Sequence, residues 1–397
     1  MFGASLVLLL LALCAPAQAA DPGTVARGHY LFVLGDCEGC HAGANGPLGG
    51  GQSFTAPFGT VYSSNISPDR NTGIGLWSAD DFYKALHRGV SRDGSHLYPA
   101  FPYPYFAHLS RSDSDALLAY LKSQPPVHAV PPHAQLYFPF NIRANMIYWN
   151  ALYLNDKPLP YDAKHTPQWN RGAFLIKGPG HCAECHTPKN FMFADKNSDA
   201  LGGAIVEGWF AADLTATKRS GLGDWSAEEI AQYLKTGVTG KATAVGPMQE
   251  VVAKSTSRMT DADRAAIAAY LKSLPPRAAP AHENVQVPRD AMAEGQAVFV
   301  AHCSICHKPT ARESTGGFPL LPHNTLVQNR DPSTVLRVIL GGSQSIALAD
   351  KTTSSYSMPS FATLNDEEIA SVATFIRNAW GNRGSAVKPS GVKALRQ

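Results

Sequence analysis

The chain has 397 residues, which is enough for two or three ordinary domains. Charged residues make up 16% of it, below the ~25% usual for soluble proteins, and the formal net charge is only +3. So weak a positive charge argues against nucleic acid as a partner. The low charge content is compatible with large contacts to other proteins.

The first twenty residues have the pattern of a secretory signal peptide. Leu6 to Leu13 form a short apolar core, and Ala17-Gln18-Ala19 supplies small residues for cleavage. No later stretch approaches the ~18 apolar residues of a membrane span. We therefore expect the mature protein to be exported to a bacterial periplasm, where it is soluble or peripheral to the membrane.

A five-residue motif occurs three times, with two cysteines at positions i and i+3 and a histidine at i+4. Its copies are Cys37-Glu38-Gly39-Cys40-His41, Cys182-Ala183-Glu184-Cys185-His186 and Cys303-Ser304-Ile305-Cys306-His307. On a helical turn these three side chains share one face. That arrangement suits covalent c-type haem, with both cysteines in thioether bonds and His41, His186 or His307 as proximal iron ligand. The sequence thus predicts three haem c groups.

Other uses of a Cys-x-x-Cys pair fit less well. A zinc site needs a second pair of ligands nearby, whereas these pairs lie far apart in the chain. Thioredoxin-type redox motifs do not require a histidine directly after the second cysteine. All six cysteines outside the signal peptide belong to complete motifs, so haem attachment is favoured over zinc, redox and disulfide roles.

The segments around each motif repeat one plan. Each motif follows a glycine placed four residues before a bulky apolar residue, and each unit closes with a helix that is apolar at i, i+3 and i+4. The glycine should let the closing helix approach the first helix closely. The pairs are Gly28/Phe32, Gly172/Ile176 and Gly295/Phe299, and the closing stripes are Leu117/Tyr120/Leu121, Ile267/Tyr270/Leu271 and Val372/Phe375/Ile376.

Helix starts recur between these ends. Ser78 with Asp81, and Ser226 with Glu229, have the spacing of a capping box. A shorter version begins at Asp331-Pro332-Ser333. Repeats at this scale predict a mainly α protein with three domains of one type. We place them at 21–123, 170–278 and 279–384, with a connector at 124–169 and a basic tail at 385–397.

The connector and the tail are the least regular parts. The connector is rich in proline, and residues 141–154 are predicted to form a helix in which Met146, Trp149 and Leu152 cluster. It either wraps the first domain, docks a partner or braces two domains. The tail has no acid after Glu368 and is expected to be a solvated, poorly ordered end, with attraction to an anionic membrane surface as the alternative.

The sixth iron ligand distinguishes the three haems. Met248 and Met358 both lie in proline-containing loops that lead to a closing helix, so they are the predicted distal ligands of the second and third haems. The corresponding loop of the first domain contains Phe101, which cannot bind iron. A borrowed ligand, a second histidine and an open iron stay open there. Met146 is the first choice, and His96 and His108 flank the loop.

These units resemble class I cytochrome c domains over essentially all of the mature chain. The order of motifs resembles the tri-haem cytochrome c subunit of membrane-associated periplasmic dehydrogenases. The phrases that carry this resemblance are Thr72-Gly73-Ile74-Gly75 before Trp77, Leu97-Tyr98-Pro99-Ala100, Phe138-Pro139-Phe140-Asn141 with Trp149-Asn150, and Met358-Pro359 with Trp380-Gly381-Asn382.

The resemblance implies a catalytic dehydrogenase partner, which is a quinoprotein, a flavoprotein or a molybdenum hydroxylase. It also implies ubiquinone, or a cytochrome or terminal oxidase of the respiratory chain, as electron acceptor, with peripheral contact at the outer face of the inner membrane. Phe101 in place of the usual methionine is more similar to the cytochromes that accompany molybdenum hydroxylases.

We therefore expect an electron relay with no catalytic residues of its own. One rival is a self-standing enzyme that uses an open first haem on peroxide or a sulfur compound. Another is a binding protein in which metal or disulfides replace haem.

Overall fold

The structure is a computed structural model that describes residues 21–277, 287–308, 318–348 and 357–396. The predicted signal peptide lies outside these residues. The described chain is mostly helical, as predicted, with small antiparallel sheets in the first two domains. None of its helices is long and apolar enough to cross a membrane.

Each domain contains the first, middle and closing helices that its repeat predicts, together with further short helices. The first contains α1 (Pro22–Leu34), α2 (Cys37–His41), α3 (Ala79–Arg88), α4 (Tyr103–Phe106) and α5 (Arg111–Lys122), and strands β1 (Ser53–Ala56) and β2 (Gly59–Tyr62). After the connector, which carries β3 (Gln135–Leu136) and α6 (Asn145–Tyr153), the second contains α7 (Pro167–Lys177), α8 (Cys182–His186), β4 (Gly202–Val206), β5 (Trp209–Asp213), α9 (Ala227–Thr236), α10 (Pro247–Lys254) and α11 (Asp261–Ser273). The third contains α12 (Arg289–His302), α13 (Ser333–Gly341), α14 (Asp366–Asn378) and α15 (Pro389–Leu395).

A glycine contact joins the first and closing helices of every domain, as predicted. A Cβ atom on Gly28 would lie 2.0 Å from the carbonyl oxygen of Ala116 on α5. In the second domain a Cβ atom on Gly172 would lie 2.0 Å from the carbonyl oxygen of Ala266. In the third domain a Cβ atom on Gly295 would lie 2.1 Å from the carbonyl oxygen of Ser371. No other side chain fits at these crossings, so the repeated glycines fix the helix pair beneath each motif.

The two predicted capping boxes are confirmed. The backbone N–H of Asp81 donates to Ser78 Oγ at 3.1 Å, and that of Glu229 donates to Ser226 Oγ at the same distance. The acids accept from the N-cap backbone in return. The shorter start in the third domain is helix α13, which begins at Ser333. The two capping boxes position the helix that precedes the distal loop in the first and second domains.

The connector wraps the first domain and also reaches the second. Strand β3 pairs with β2, and helix α6 begins at Asn145, four residues later than residue 141. Met146 and Trp149 are buried, but Leu152 is 69% exposed, so its predicted place in that cluster was wrong. The buried face of the helix continues at Tyr153, four residues after Trp149, and the two rings are in contact. Leu152, three residues after Trp149, lies on the exposed side.

Trp149 Nε1 also donates to the carbonyl oxygen of Met192 at 2.9 Å. The connector therefore acts as a brace between the first two domains. Helix α7 begins at Pro167, a few residues before the boundary predicted at 170.

The basic tail is part of the third domain, contrary to the expectation of a poorly ordered end. Val392 on α15 is fully buried, and Arg396 pairs with Asp366 through an Nε–Oδ1 contact of 2.7 Å. Arg377 is fully buried too, and its guanidinium donates to the carbonyl oxygens of Val327 and Asn329 at 2.8 and 2.9 Å. The tail is therefore held by apolar contacts as well as by its charges, since Val387 and Leu395 pack against the same core cluster as Val392.

Candidate haem sites

The three predicted proximal histidines have the same second contact. His41 Nδ1 lies 2.7 Å from the carbonyl oxygen of Ser64, and His186 Nδ1 lies 2.7 Å from that of Ala212. For His307 the partner is the carbonyl oxygen of Pro319, at 3.3 Å. A carbonyl only accepts, so Nδ1 carries the proton in each ring and Nε2 keeps a free lone pair. Burial lowers the pKa of all three histidines and favours this neutral form. A neutral imidazole held through Nδ1 is the usual state of an iron ligand.

Five of the six motif cysteines are partly buried thiols, whereas Cys306 is exposed. None of the six is in a disulfide. Burial raises the pKa of Cys40 and Cys185 to about 12, and that of Cys182 and Cys303 to about 11. Such surroundings disfavour a thiolate, as zinc would require, and suit an uncharged thioether.

The third motif is a turn rather than a helix in the described chain. The backbone N–H of His307 nevertheless donates to the carbonyl oxygen of Cys303 at 2.9 Å, which keeps the i to i+4 relationship of the other two copies. All three motifs therefore present cysteine and histidine from a single turn.

A cavity in the third domain joins the motif to the predicted distal methionine. Cys303, His307 and Met358 all line it, and nearly all of its other lining is apolar. It encloses about 800 Å³ of empty space, including its open mouth. A large apolar cavity between a histidine and a methionine fits a haem held on both sides.

The second domain contributes to the wall of this same cavity. Thr243 and Val245, in the loop before α10, line it alongside the third-domain residues. The hydroxyl of Thr243 is buried and has no hydrogen-bond partner among the described residues. A buried polar atom that faces an apolar cavity fits a bound group with a polar edge, which a haem carries in its propionates.

Met248 is the second residue of α10 and is half-buried. It packs beside Tyr233 and Ala253 against a cluster that contains Val252. A backbone pairing fixes the position of Met248 relative to helix α9. Val238, the residue after the C-cap of α9, pairs with Thr243, and Met248 lies five residues after Thr243.

The first domain repeats that register with a different residue. Val90, just after the cap of α3, pairs with His96, and Phe101 follows five residues later. Phe101 is therefore the structural counterpart of Met248. It packs against Phe106 with ring centroids 5.6 Å apart.

Met146 lies close to this phenylalanine. It is 7% exposed and belongs to a buried cluster with Tyr103 and Trp149, against which Phe101 packs. Of the flanking histidines, His108 Nδ1 is engaged with the carbonyl oxygen of Lys157 at 2.7 Å. The Nδ1 atom of His96 is buried without a hydrogen-bond partner among the described residues.

Two partly buried residues beside the motifs carry no signal in the sequence. Asp36 precedes Cys37, and His181 precedes Cys182; both have left-handed backbone conformations, with φ of 45° and 34°. Burial, reinforced by the nearby Glu250, raises the pKa of Asp36 to about 7. A non-glycine residue with a left-handed backbone next to a functional motif indicates a functional constraint, but this conformation is visible only in the structure.

A helical domain that closes around a Cys-x-x-Cys-His turn, with a methionine across an apolar cavity as in the third domain, is typical of c-type cytochromes. The cytochrome c family matches residues 171–275 and 292–380, which fall in the second and third domains.

The chain is also 36% identical to the fructose dehydrogenase cytochrome subunit of Gluconobacter japonicus, over 96% of this chain and 84% of that protein. It is 36% identical to the gluconate 2-dehydrogenase cytochrome c subunit of Pantoea cypripedii, over 95% and 90%. With a nicotinate dehydrogenase subunit of Pseudomonas putida the identity is 39%, over 99% of this chain but 35% of that longer protein.

The chain belongs to the family of cytochrome c subunits of dehydrogenases, and it binds haem c covalently. Membership of this family supports an electron-transfer subunit. It does not favour the self-standing enzyme considered from the sequence.

Proposed function

We propose that this protein is the tri-haem electron-transfer subunit of a periplasmic dehydrogenase complex. It takes single electrons from a catalytic subunit and passes them to ubiquinone or to a cytochrome or oxidase of the respiratory chain. The observation that carries the proposal is the threefold repeat of one site. His41, His186 and His307 each follow a pair of cysteines and each donate Nδ1–H to a backbone carbonyl.

In this proposal the six motif cysteines hold the three haems and the three histidines bind iron from one side. The residues of the chain then set what each haem can do. Met248 and Met358 complete the second and third irons, which raises their reduction potentials and closes them to small molecules. Thr243 offers its hydroxyl to the group in the third cavity.

For the first haem we propose Met146 as the distal ligand, supplied by the connector. Its support is the buried cluster that it shares with Phe101, the residue in the register of Met248. His96 is a second candidate because its Nδ1 atom is buried without a partner among the described residues. The two differ in spectrum, since methionine and histidine give the iron different ligand fields.

We also propose that the catalytic subunit contacts the outer face of helix α6. Ile147, Tyr148 and Leu152 are 54%, 73% and 69% exposed there. Exposed apolar patches of this kind mark interaction sites. Arg143 is the single charged residue between 134 and 155, and it already donates to the carbonyl oxygen of His96 at 2.6 Å. A face without spare positive charge suits an apolar protein surface better than anionic lipid headgroups.

We propose that the catalytic partner is a molybdenum hydroxylase. Phe101 in the methionine register favours a molybdenum hydroxylase, a class that acts on aldehydes or N-heterocycles. Nicotinate, in the name of the Pseudomonas putida relative, is an N-heterocycle. Purification of the complex from its native host tests it. A flavoprotein or quinoprotein in the purified complex would replace this partner without changing the relay.

Spectroscopy of the purified chain tests the relay itself. Full reduction by an electron donor, followed by complete reoxidation by a ubiquinone analogue in the presence of the partner, is the expected result. Turnover of peroxide or a sulfur compound by the isolated chain would instead support a self-standing enzyme.

A further inference from the structure

The first two domains meet at the residues that precede their haem-attachment motifs. His181 Nε2 lies 3.1 Å from the carbonyl oxygen of Gly35, so the imidazole donates a hydrogen bond across the boundary between the domains. His181 is bonded to Cys182 in the chain, and Gly35 lies two residues before Cys37. This single hydrogen bond therefore joins the chain segments of two attachment cysteines.

The surroundings of this bond are closely packed. The His181 ring meets the edge of Phe106 at a centroid distance of 5.7 Å and an angle of 82°. A Cβ atom on Gly35 would lie 3.2 Å from Phe106 and 3.3 Å from Cys37 Sγ. Glycine at this position lets the backbone of the first domain, the thiol and the imidazole come together.

The backbone of His181 is held in an uncommon conformation for this contact. Its φ of 34° and ψ of 36° lie in the left-handed region, which non-glycine residues seldom adopt. The N–H of His181 donates to the carbonyl oxygen of Gly178 at 2.9 Å, which fixes that turn. Burial lowers the pKa of His181 and keeps its ring neutral.

We propose that His181 is the bridge for electron exchange between the haem on Cys37 and the haem on Cys182. The path runs from Cys37 through the peptides of Asp36 and Gly35, across one hydrogen bond, and through His181 to Cys182. Its only non-covalent step is the 3.1 Å contact. Tunnelling weakens steeply across gaps in a bonded path, so a single short hydrogen bond favours exchange. One electron moves and no atom does: one haem is oxidised as the other is reduced.

A purely structural role for His181 makes a different prediction. Other contacts also hold this boundary, such as the ion pair between Arg258 Nη1 and Glu38 Oε2 at 2.9 Å. Tyr30 Oη donates to Asp263 Oδ2 at 2.7 Å at the same boundary. Loss of Arg258 weakens the contact between the domains without touching the His181 path, so Arg258→Gln is a matched control.

The proposal rests on the proposed function, because it requires haem at both motifs. The test compares the full mature chain with His181→Asn, His181→Gln and Arg258→Gln. Asparagine tolerates the left-handed backbone but is too short to reach Gly35, whereas glutamine restores a donor at similar reach. Intact mass first establishes three haems in every variant, so a failure of haem loading is seen separately.

Each protein is then photoreduced by one electron, and the redistribution of that electron among the haems is followed by absorbance. We expect a several-fold slower phase in His181→Asn, a rate close to wild type in His181→Gln and no change in Arg258→Gln. The three reduction potentials should stay the same in both His181 variants, because the His181 ring is neutral and its replacements carry no charge. A wild-type rate in His181→Asn, or equal slowing in Arg258→Gln, would overturn the bridge.

Discussion

Phe101 in the first domain occupies the same backbone register as Met248 in the second. In each domain the residue after the C-cap of a helix pairs with a residue further along the loop, which is His96 in the first domain and Thr243 in the second. Phe101 and Met248 each lie five residues after that paired residue. The two domains therefore share one loop, which carries the proposed distal ligand Met248 only in the second domain. Phenylalanine in place of methionine sets the first domain apart from the second within an otherwise repeated scaffold.

Replacement of Met146 tests the ligand that we assign to the first haem. Met146→Ala should remove one methionine-ligated haem signal from the NMR spectrum of the reduced protein and lower one reduction potential, because the thioether stabilises ferrous iron. Met259→Leu is the control, since Met259 is a buried core residue of the second domain. Retention of every methionine signal in Met146→Ala would leave His96 as the candidate.

Met248→Ala should lower one of the three potentials and leave the other two in place. The second iron loses its thioether, while the first and third keep their own ligands. A spectroelectrochemical titration resolves the three steps. The exposed Met192 provides the control as Met192→Ala, and three unchanged potentials in Met248→Ala would refute the assignment.

Asp36 should make the protein less stable as the pH rises. Its pKa in the folded protein is about 7, above the ordinary value of 3.8, because burial disfavours the carboxylate. A raised folded pKa gives stability that is present below pH 3.8 and lost as the pH rises through about 7. The full effect is at most about 4 kcal/mol at 1.4 kcal/mol per pKa unit.

Denaturant titrations at about pH 5 and about pH 8, on either side of the raised pKa, measure this loss. Asp36→Asn mimics the protonated acid at every pH, so it should unfold at higher denaturant than wild type, by a small margin at the lower pH and by a larger margin at the higher pH. Asp290→Asn, at an exposed acid of the third domain, is the control. Equal stability of Asp36→Asn and wild type at the higher pH would contradict the burial of an ionisable Asp36.

Substitutions on the outer face of α6 test the partner surface. Tyr148→Ser with Leu152→Ser should reduce co-purification of the catalytic subunit while leaving the haem spectrum unchanged, because both side chains point away from the domain. Ser112→Ala, at an exposed position on α5, serves as control. If co-purification persists but binding to lipid vesicles is lost, the face belongs to the membrane.

The sequence predicted those features that depend on local chemistry. The histidine of each motif, the Ser78 and Ser226 caps and the glycine at each helix crossing all follow from short spacings, and the structure contains them. Contacts between domains were out of reach. Thr243 lines the cavity of the next domain, and His181 bonds to Gly35, but neither residue has a pattern in the chain that points across a domain boundary.

The same limit explains the errors. The sequence predicts a helix that begins at residue 141 with Leu152 on its buried side, whereas the helix begins at Asn145 and Leu152 is exposed. The contact between Trp149 and Tyr153 shows which face is buried. The tail was interpreted from its charges, although Val392 decides its position. Three apolar side chains, Val387, Val392 and Leu395, are too few to leave a clear periodic signal in a segment so short.

Intact mass spectrometry of the mature chain tests the central claim most directly. We predict a mass that exceeds the polypeptide by three haems, no alkylatable thiol among the six motif cysteines, and loss of one haem when Cys303 and Cys306 are replaced by alanine. Fewer than three haems on the fully matured protein, with free thiols at any of the three motifs, would contradict it.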